Sequence, residues 1–302
     1  GESRTRREFA LKVIPIRHLV KNGVEHTVRH ERDVMGSIKH PSIVRLYSAF
    51  KAHDHIYFVM DLVNGLDFYW CMQNYEISEK GAKFYMSQVV LMLEYLHSRT
   101  IAYRDIKPEN LIIARDGYLR MIDFGLSKFL GPGERSYTFC GTPLYLAPEV
   151  WGSGGHNRAV DFWALGVFLY EVISGSLPWE AKTEVELRTM VVSGSVTFPS
   201  GGVHGQDFSP QLKQFVTGLL EKNPNKRLGM LKEGIQGVKR VAWLREIDWP
   251  SLESRALEPP FKPDADVNPQ MQDLVKIDDE DRELVPPTSR DCPKYGEYFP
   301  DF

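Results

Sequence analysis

Residues 103–110 read Tyr-Arg-Asp-Ile-Lys-Pro-Glu-Asn, which places a carboxylate, an ammonium group and a carboxamide within six positions of one segment. Each of these groups can help to move a phosphoryl group. Asp105 can accept the proton of an attacking hydroxyl, Lys107 can neutralise charge on the transferring phosphate, and Asn110 can hold a metal ion through its amide oxygen. The segment therefore predicts a catalytic loop for phosphoryl transfer.

A second acid follows Asn110 by thirteen positions, in Asp123-Phe124-Gly125. Glycine lets the backbone turn sharply after the acid, and the Asp123 carboxylate predicts a further magnesium contact. Either motif alone is weak evidence, because a DFG tripeptide occurs in many loops and an Asp-x-Lys pair is usually solvated surface charge. The order of the motifs along the chain makes them informative.

Five motifs occur in one order: Lys12, Glu31, the 103–110 loop, Asp123-Phe124-Gly125 and Ala147-Pro148-Glu149. Their spacing resembles the signature of the eukaryotic protein kinases, and the resemblance runs over the whole chain. Tyr103, where most kinases have histidine, is a variation that resembles the AGC group. The resemblance implies an α+β fold of the bilobal protein kinase type, with a small β-rich lobe, a large mostly helical lobe and an AGC C-terminal tail.

The resemblance also sets the expected boundaries of these parts. The small lobe is predicted over residues 1–62, the large lobe over 63–257 and the tail over 258–302. A glycine-rich phosphate loop normally precedes the strand that carries the catalytic lysine, and the printed sequence shows none before Phe9. Either the chain is truncated or residues before Gly1 are left out of the printed sequence, and we expect the second.

Composition narrows the class of protein. The 302 residues are 42% hydrophobic and 25% charged. The formal net charge of −3 gives no general polyanion-binding signature, so nucleic acid is not an expected partner. The sequence shows no apolar run that could span a membrane and no secretory signal. Three widely spaced cysteines predict neither a disulfide framework nor a zinc site. The expected location is the reduced cytoplasm, with the nucleus as a second compartment.

The small lobe should carry the residues that hold the nucleotide. The apolar run 9–14 predicts a strand from which Lys12 projects, and apolar spacing over 24–38 predicts a helix that carries Glu31. The resemblance implies that Glu31 pairs with Lys12, which contacts the α- and β-phosphates. Residues 43–46 and 56–61 are predicted to be two further strands.

The hinge between the lobes is predicted at residues 61–65, where backbone groups would bond the adenine edge and Met60 would shape the pocket behind it. Asp67 would meet the ribose and an arginine of the substrate, although an acid that caps a helix explains it equally well. The implied nucleotide contacts form one set: Ala10, Lys12, Glu31, Met60, Asp61, Val63, Asp67, Ile112 and Asp123. The implied cofactors are ATP and Mg²⁺, with Asn110 and Asp123 as the metal ligands.

The segment after Gly125 resembles an activation loop. Thr138 lies where AGC kinases carry an activating phosphate, and that phosphate would bind Arg104 and Lys128 by charge-assisted hydrogen bonds. Thr142 is expected to support the catalytic loop through its hydroxyl.

Three further residues are expected to support the fold rather than the chemistry. Glu149 has Arg227 as its implied buried partner, and the loss of either should destabilise the protein. Asp161 is expected to brace the catalytic loop from behind by accepting backbone donors.

The C-terminal part carries the resemblance to the AGC group. Phe299 and Phe302 are expected to dock in an apolar pocket of the small lobe and hold the Glu31 helix in place, with a frayed terminus as the alternative. Residues 278–281 are acidic and predict an extended strap. The tail aromatic that touches adenine in this group is not visible, and Thr288 or Ser289 is a candidate phosphorylation site.

The resemblance implies a serine/threonine kinase with basic protein substrates. Glu109 and Glu171 would hold an arginine two positions before the acceptor, and Asp67 one three positions before it. An apolar pocket of Phe139, Pro143 and Leu146 would take the residue after the acceptor. The predicted preference is Arg-Arg-x-Ser/Thr-hydrophobic, with more distant arginines selected weakly because Leu144 replaces the usual glutamate.

Regulation is expected to involve a cyclic nucleotide. The terminal aromatic pair favours the cyclic-AMP-dependent type, which implies a cyclic-nucleotide-binding regulatory subunit. The alternative is the catalytic domain of a cyclic-GMP-dependent kinase, with its regulatory domains upstream. A third interpretation is an ATP-binding pseudokinase scaffold, against which the complete set of catalytic residues argues.

Overall fold

The computed structural model describes residues 7–200, 207–263, 299 and 301–302. The acidic run 278–281 and the candidate sites Thr288 and Ser289 therefore lie outside the described residues, as does most of the predicted tail.

Three strands and two helices lie within residues 9–61. They are β1 (Phe9–Pro15), α1 (Ile16–Asn22), α2 (Glu25–Ser37), β2 (Leu46–Ala52) and β3 (His55–Asp61). The strands form an antiparallel sheet in the order β1-β3-β2. Helix α1 ends at Gly23, whose φ of 64° is the left-handed conformation that favours glycine at a helix C-terminus. This part is the strand-rich small lobe.

Helices dominate the rest of the described chain. The helices are α3 (Phe68–Asn74), α4 (Glu79–Ser98), α5 (Ala159–Ser174), α6 (Glu184–Ser193), α7 (Pro210–Leu219), α8 (Ile235–Lys239) and α9 (Trp249–Glu253). The strands are β4 (Gly65–Asp67), β5 (Ile101–Ala102), β6 (Leu111–Ala114), β7 (Leu119–Met121) and β8 (Lys128–Phe129). They form a sheet β4-β6-β7 and a pair β5-β8. The predicted bilobal α+β fold is confirmed.

Helix α5 is the centre of the large lobe. Its residues are apolar around the whole helix, and Phe162, Trp163, Leu165 and Phe168 are almost completely buried. A helix that is apolar all round must lie inside the protein. Because α5 is enclosed by other elements, it gives the catalytic loop a rigid support.

One predicted strand is wrong. Residues 43–46 were expected to form a strand, but β2 begins only at Leu46. Ile43 and Val44 are instead buried against the large lobe, where Val44 N donates to Met121 O (3.0 Å) and Met121 N donates to Ser42 O (2.9 Å). The apolar residues of this segment thus join the two lobes rather than extend the small-lobe sheet.

The predicted hinge is also shorter than expected. Gly65 belongs to β4, and a side chain there would clash with the backbone of Ile113 in the neighbouring strand. Only residues 62–64 are irregular between the two sheets. Glycine is needed at this position because of the close approach of the two backbones.

The predicted pair of Glu149 and Arg227 is confirmed. Arg227 is fully buried and donates two hydrogen bonds to the Glu149 carboxylate, at 2.7 and 2.8 Å. Its remaining donors reach the carbonyl oxygens of Glu221 and Ala159 (both 2.9 Å). A buried charge is tolerated when it is paired and its donors are satisfied.

The predicted docking of the terminal aromatics is confirmed as well. Phe299 is 1% exposed, and the Phe302 ring stacks 6.3 Å from the Phe58 ring of β3. Arg32 of α2 donates to the Asp301 carboxylate at 2.9 Å and lies over the Phe302 ring. Asp301 and Phe302 therefore contact α2, the helix that carries Glu31. Within the described residues, no helix is both long enough and apolar enough to cross a membrane.

Candidate active site

The catalytic loop is fixed by the buried N-terminal part of α5. The Asp161 carboxylate accepts hydrogen bonds from Tyr103 N (3.0 Å) and Arg104 N (2.7 Å), as the sequence predicts. Its Oδ2 also lies 2.7 Å from His97 Nε2 of α4, a contact that sequence reasoning missed. Arg104 has a φ of 69°, an uncommon conformation for an arginine. The two Asp161 bonds hold this turn in place immediately before Asp105.

Asp105, Lys107 and Thr142 form a closed hydrogen-bonded triangle. Lys107 Nζ donates to Thr142 Oγ1 at 2.9 Å and lies 3.2 Å from Asp105 Oδ2. Thr142 Oγ1 donates in turn to Asp105 Oδ1 at 3.2 Å. Thr142 thus links the activation segment to the catalytic loop, as the sequence predicts.

Asn110 is oriented by the same acid. Its Nδ2 donates to the Asp105 backbone oxygen (2.8 Å) and to Asp105 Oδ2 (2.7 Å). Because the amide nitrogen is engaged on that side, the amide oxygen is left as the free acceptor. An oxygen held in this way suits a hard cation such as Mg²⁺.

Lys12 joins the two lobes. Its Nζ lies 2.7 Å from Glu31 Oε1 and 3.5 Å from Asp123 Oδ1, which confirms the predicted pairing. Burial alone would lower the pKa of Lys12, but the carboxylates of Glu31 and Asp123 outweigh it and raise that pKa. Lys12 therefore carries a firm positive charge beside the half-exposed Asp123 side chain.

The backbone that follows Asp123 orients its carboxylate. Gly125 N donates to Asp123 Oδ1 at 2.9 Å, and a Cβ at Gly125 would lie 3.3 Å from that oxygen. The second oxygen of the carboxylate stays available, and the side chain is 48% exposed. Among the described residues no group of three or more His, Cys, Asp or Glu side chains could hold a metal. Asn110 and Asp123 provide two oxygen ligands. This number suits Mg²⁺, whose other ligands are usually phosphate and water oxygens.

The predicted adenine contacts lie on strands at the junction of the lobes. Ala10 of β1 pairs with Met60 of β3. Ile112 lies on β6, opposite Asp67 of β4. Val63 is half-buried in the irregular segment between β3 and β4.

Asp61 differs from this set in the direction of its side chain. The carboxylate accepts from Tyr47 OH (2.6 Å) and Arg45 N (3.1 Å), and Asp61 N donates to Arg45 O (3.0 Å). The side chain is therefore committed to neighbours on the small lobe, which leaves the Asp61 backbone carbonyl as its candidate contact to adenine.

Asp67 fits both of its sequence interpretations. It caps α3 by accepting from Trp70 N at 2.9 Å. Burial raises the pKa of its carboxyl, and Glu109 nearby adds to the rise. Asp67 is thus a helix cap, and it also lies close enough to Glu109 for their charges to interact.

The predicted substrate acids Glu109 and Glu171 come together on one face of the large lobe. Burial is the main cause of the raised pKa of Glu171, while the negative charges of Glu109 and Glu180 add to it. The Tyr145 hydroxyl donates a short hydrogen bond to Glu171. Sequence reasoning missed Tyr145 and Glu180; the only signal for Glu180 was an acid directly after Trp179.

The three residues predicted to form an apolar pocket lie in different surroundings. Leu146 is buried, Pro143 is exposed, and the Phe139 ring is 54% exposed. Phe139 packs edge-on against Trp151 at 5.3 Å, a partner that the sequence did not indicate. Gly141 has a φ of 114°, and a Cβ at this position would lie 2.7 Å from the Leu146 side chain. This turn therefore requires glycine.

Thr138 is exposed, and the guanidinium expected to bind its phosphate contacts other groups. Arg104 donates to Leu126 O (2.7 Å) and Ser136 Oγ (2.9 Å), and its Nη1 lies 3.4 Å from His156 Nε2. All three partners are uncharged, because burial and Arg104 together lower the pKa of His156 to about 4. A half-buried guanidinium without a carboxylate partner is a suitable acceptor for a phosphate.

A model of the protein kinase domain matches residues 2–243 of the sequence. The chain belongs to the protein kinase family. It is 39% identical over 256 residues to a cAMP-dependent protein kinase catalytic subunit-like protein of Caenorhabditis elegans, covering 84% of this chain and 62% of the relative. It is 36% identical over 296 residues to the cAMP-dependent protein kinase catalytic subunit of Dictyostelium discoideum, covering 97% and 44%.

A third relative is human. The kinase chain is 37% identical over 256 residues to the cAMP-dependent protein kinase catalytic subunit PRKX, covering 84% of this chain and 69% of the relative. These relatives confirm the resemblance to the AGC group and its cyclic-AMP-dependent members. The chain spans less than two thirds of the length of the worm and Dictyostelium relatives.

Proposed function

We propose that this kinase chain transfers the γ-phosphoryl group of ATP to serine or threonine in basic protein substrates. The observation that carries the proposal is the hydrogen-bonded group of Asp105, Lys107, Thr142 and Asn110, in which every distance is 3.2 Å or less. Most of the rate enhancement in phosphoryl transfer comes from positioning and electrostatic stabilisation. A preassembled group of this kind supplies both.

Asp105 has the role of the base. The substrate hydroxyl oxygen forms the new bond to the γ-phosphorus while the bond to the bridging oxygen breaks, and the hydroxyl proton passes to the Asp105 carboxylate. Thr142 and Asn110 hold that carboxylate in one rotamer. Lys107 lies beside it and would stabilise the negative charge of the moving group.

Lys12 and the metal-binding oxygens orient the nucleotide. Lys12 would bind the α- and β-phosphates while Glu31 holds its ammonium group in place. Asn110 Oδ1 and the free oxygen of Asp123 would hold Mg²⁺, which when bound neutralises charge on the phosphates. The predicted adenine contacts of Ala10, Met60, Val63, Ile112 and the Asp61 backbone complete this half of the proposal.

Acids on the large lobe would select basic substrates. Glu109 and Glu171 would pair with an arginine two positions before the acceptor and Asp67 with one three positions before it. The pKa of Glu171 is raised partly by like charges, so a bound guanidinium would relieve that repulsion. Phe139, Pro143 and Leu146 would contact the residue after the acceptor, and phosphorylated Thr138 would be held by Arg104 and Lys128.

Regulation by a cyclic nucleotide, through a regulatory subunit or an upstream domain, is part of the proposal. It is supported by relatives that are named as cAMP-dependent kinase subunits. The cyclic-GMP-dependent type is the alternative. A cytoplasmic or nuclear location is proposed because the three cysteines are few and widely spaced. A pseudokinase scaffold is disfavoured by the complete and connected catalytic group.

The test is phosphate transfer by the full-length protein from magnesium-ATP to the peptide Arg-Arg-Ala-Ser-Leu, with cyclic AMP or cyclic GMP added. Mass spectrometry should find phosphoserine, and replacement of either arginine by alanine should lower kcat/KM about tenfold or more, since charge-assisted hydrogen bonds are worth about 1.5–3 kcal/mol. Glu171→Gln should reduce the preference for the second arginine, while the control Glu184→Gln on the exposed face of α6 should not. ATP binding without transfer to any peptide of a broad library would favour the scaffold.

A further inference from the structure

A concave groove of about 650 Å³ lies behind the hinge, on the side where the Asp61 side chain points. Its walls come from four parts of the chain: Arg7, residues 39–47 of the small lobe, residues 61–64 at the hinge, and residues 114–120 of the large lobe. The groove shares Asp61 and Val63 with the proposed adenine contacts, but Lys12, Asp105 and Asp123 do not line it. The groove is therefore a second cavity that both lobes build.

The lining of the groove is strongly positive. It contains five cationic side chains and two acids: Arg7, Lys39, Arg45, Arg115 and Arg120 against Asp61 and Asp116. The chain as a whole carries a formal net charge of −3. A local excess of three positive charges on a net acidic protein marks a place where an anion is attracted.

Both acids in the groove already have partners. Asp116 accepts from Arg120 (2.8 Å) and from Arg255 (2.9 Å), which lies just outside the lining. Asp61 is held by Tyr47 OH and Arg45 N. Across the described residues, the side chains of Lys39 and Arg45 have no carboxylate partner, and the Arg45 guanidinium only lies over the Tyr47 ring at 5.1 Å. These two cations are available for an external anion.

His40 is a neutral member of the groove lining. Burial, with Arg255 and Arg120 adding to it, lowers the pKa of this imidazole to about 4. Its Nδ1 accepts from Ser42 N at 3.1 Å, so the neutral ring carries its proton on Nε2. The His40 ring therefore adds no charge of its own to the groove.

We propose that this groove binds a small polyphosphorylated molecule at Lys39 and Arg45, with Arg115 and Arg120 adding to its positive field. Four of the five cations are arginines, whose planar guanidinium matches phosphate oxygens in a two-point contact. The volume of the groove falls within the range of small-ligand sites, about 300–1,000 Å³. The concave shape and the arginine content favour a compact polyphosphate over an acidic peptide.

The test is calorimetric titration of the full-length protein with myo-inositol hexakisphosphate, with the nucleotide cleft filled by a non-hydrolysable ATP analogue. We expect one binding event per chain that weakens as salt is added. Lys39→Gln with Arg45→Gln should weaken it at least tenfold, because two charge-assisted contacts are lost. Both side chains are exposed, so the thermal unfolding midpoint of this variant should not change.

The matched control is Lys232→Gln with Arg240→Gln, which removes the same charge from exposed positions of the large lobe. It should stay within twofold of the wild type, and so should Asp105→Asn, which separates this proposal from the proposed transfer activity. No binding, or an equal loss in both double variants, would overturn the proposal. Tighter binding of an Asp-Asp-Glu-Asp peptide than of the polyphosphate would overturn it as well and assign the groove to an acidic peptide.

Discussion

The large lobe and the junction of the lobes each contain an ion pair, and the two pairs differ in exposure. The Arg227 and Glu149 side chains are 0% and 10% exposed, whereas those of Lys12 and Glu31 are 35% and 6% exposed. The hydrogen bonds of Arg227 go to Glu149 and to backbone carbonyl groups, so they stabilise the fold. Lys12 keeps an exposed side beside Asp123, where the phosphates of the nucleotide are proposed to bind.

The comparison shows that the role of an ion pair depends on whether one side of it remains accessible to a third charged group. A pair enclosed on every side can only stabilise or destabilise the lobe around it. A pair with one open side can bind a third charged group and take part in chemistry. Loss of the first should therefore lower stability, and loss of the second should lower activity.

Breaking the enclosed pair should have the largest effect. Arg227→Ala leaves Glu149 and several carbonyl groups without a partner inside the large lobe, which should cost about 3–5 kcal/mol of unfolding free energy. Urea unfolding followed by circular dichroism measures this cost. The double variant Glu149→Leu with Arg227→Met should lose less, because it leaves no unpaired charge. A double variant as unstable as the single one would contradict the assigned role of the pair.

Breaking the open pair should act on rate. Lys12→Met removes a cation that would stabilise the phosphates, and a loss of about 10²–10³-fold in kcat/KM is expected from one such electrostatic group. Steady-state peptide phosphorylation measures it. The exposed residue Lys21 provides the control, since Lys21→Met should leave activity unchanged. A Lys12→Met protein that unfolds as readily as Arg227→Ala would remove the contrast between the two pairs.

Acidic pH should lower the free energy of unfolding of the protein through His156, by less than the loss of the Arg227–Glu149 pair does. The pKa of this imidazole in the folded protein is about 4, below its ordinary value of 6.5. Between these two values the unfolded chain binds more protons than the folded one, so stability falls as the pH drops from about 6.5 to about 4. In His156→Gln this fall should be smaller by about 1–3 kcal/mol.

Urea unfolding at several pH values gives this slope. His18, which is exposed on α1, provides the control, because His18→Gln should keep the slope of the wild type. An unchanged slope in His156→Gln would show that the imidazole is not held neutral in the folded lobe.

The sequence predicted the parts of the site whose residues occur in fixed motifs. Lys12, Glu31, Asp105 and Asp123 were identified because their order and spacing along the chain resemble the protein kinase signature. The contacts between them then followed in the structure, as in the 2.7 Å pair of Lys12 and Glu31.

Contacts between distant residues outside the motifs could not be predicted. The bond from Tyr145 to Glu171 and the contact of Arg104 with His156 join segments whose closeness depends on the whole tertiary fold. The segment 43–46 was mistaken for a strand because its apolar residues face the other lobe, and periodicity alone cannot tell these two environments apart.

The most direct test of the proposed chemistry is the single-turnover rate of phosphoryl transfer by Asp105→Asn, with ATP and peptide saturating. The amide keeps the size of the side chain and its place beside Thr142 and Asn110 but cannot accept the hydroxyl proton. The rate should fall by about 10²–10⁴-fold, while ATP affinity stays within twofold of the wild type. A rate close to that of the wild type, with ATP equally bound, would contradict the assignment of Asp105 as the base.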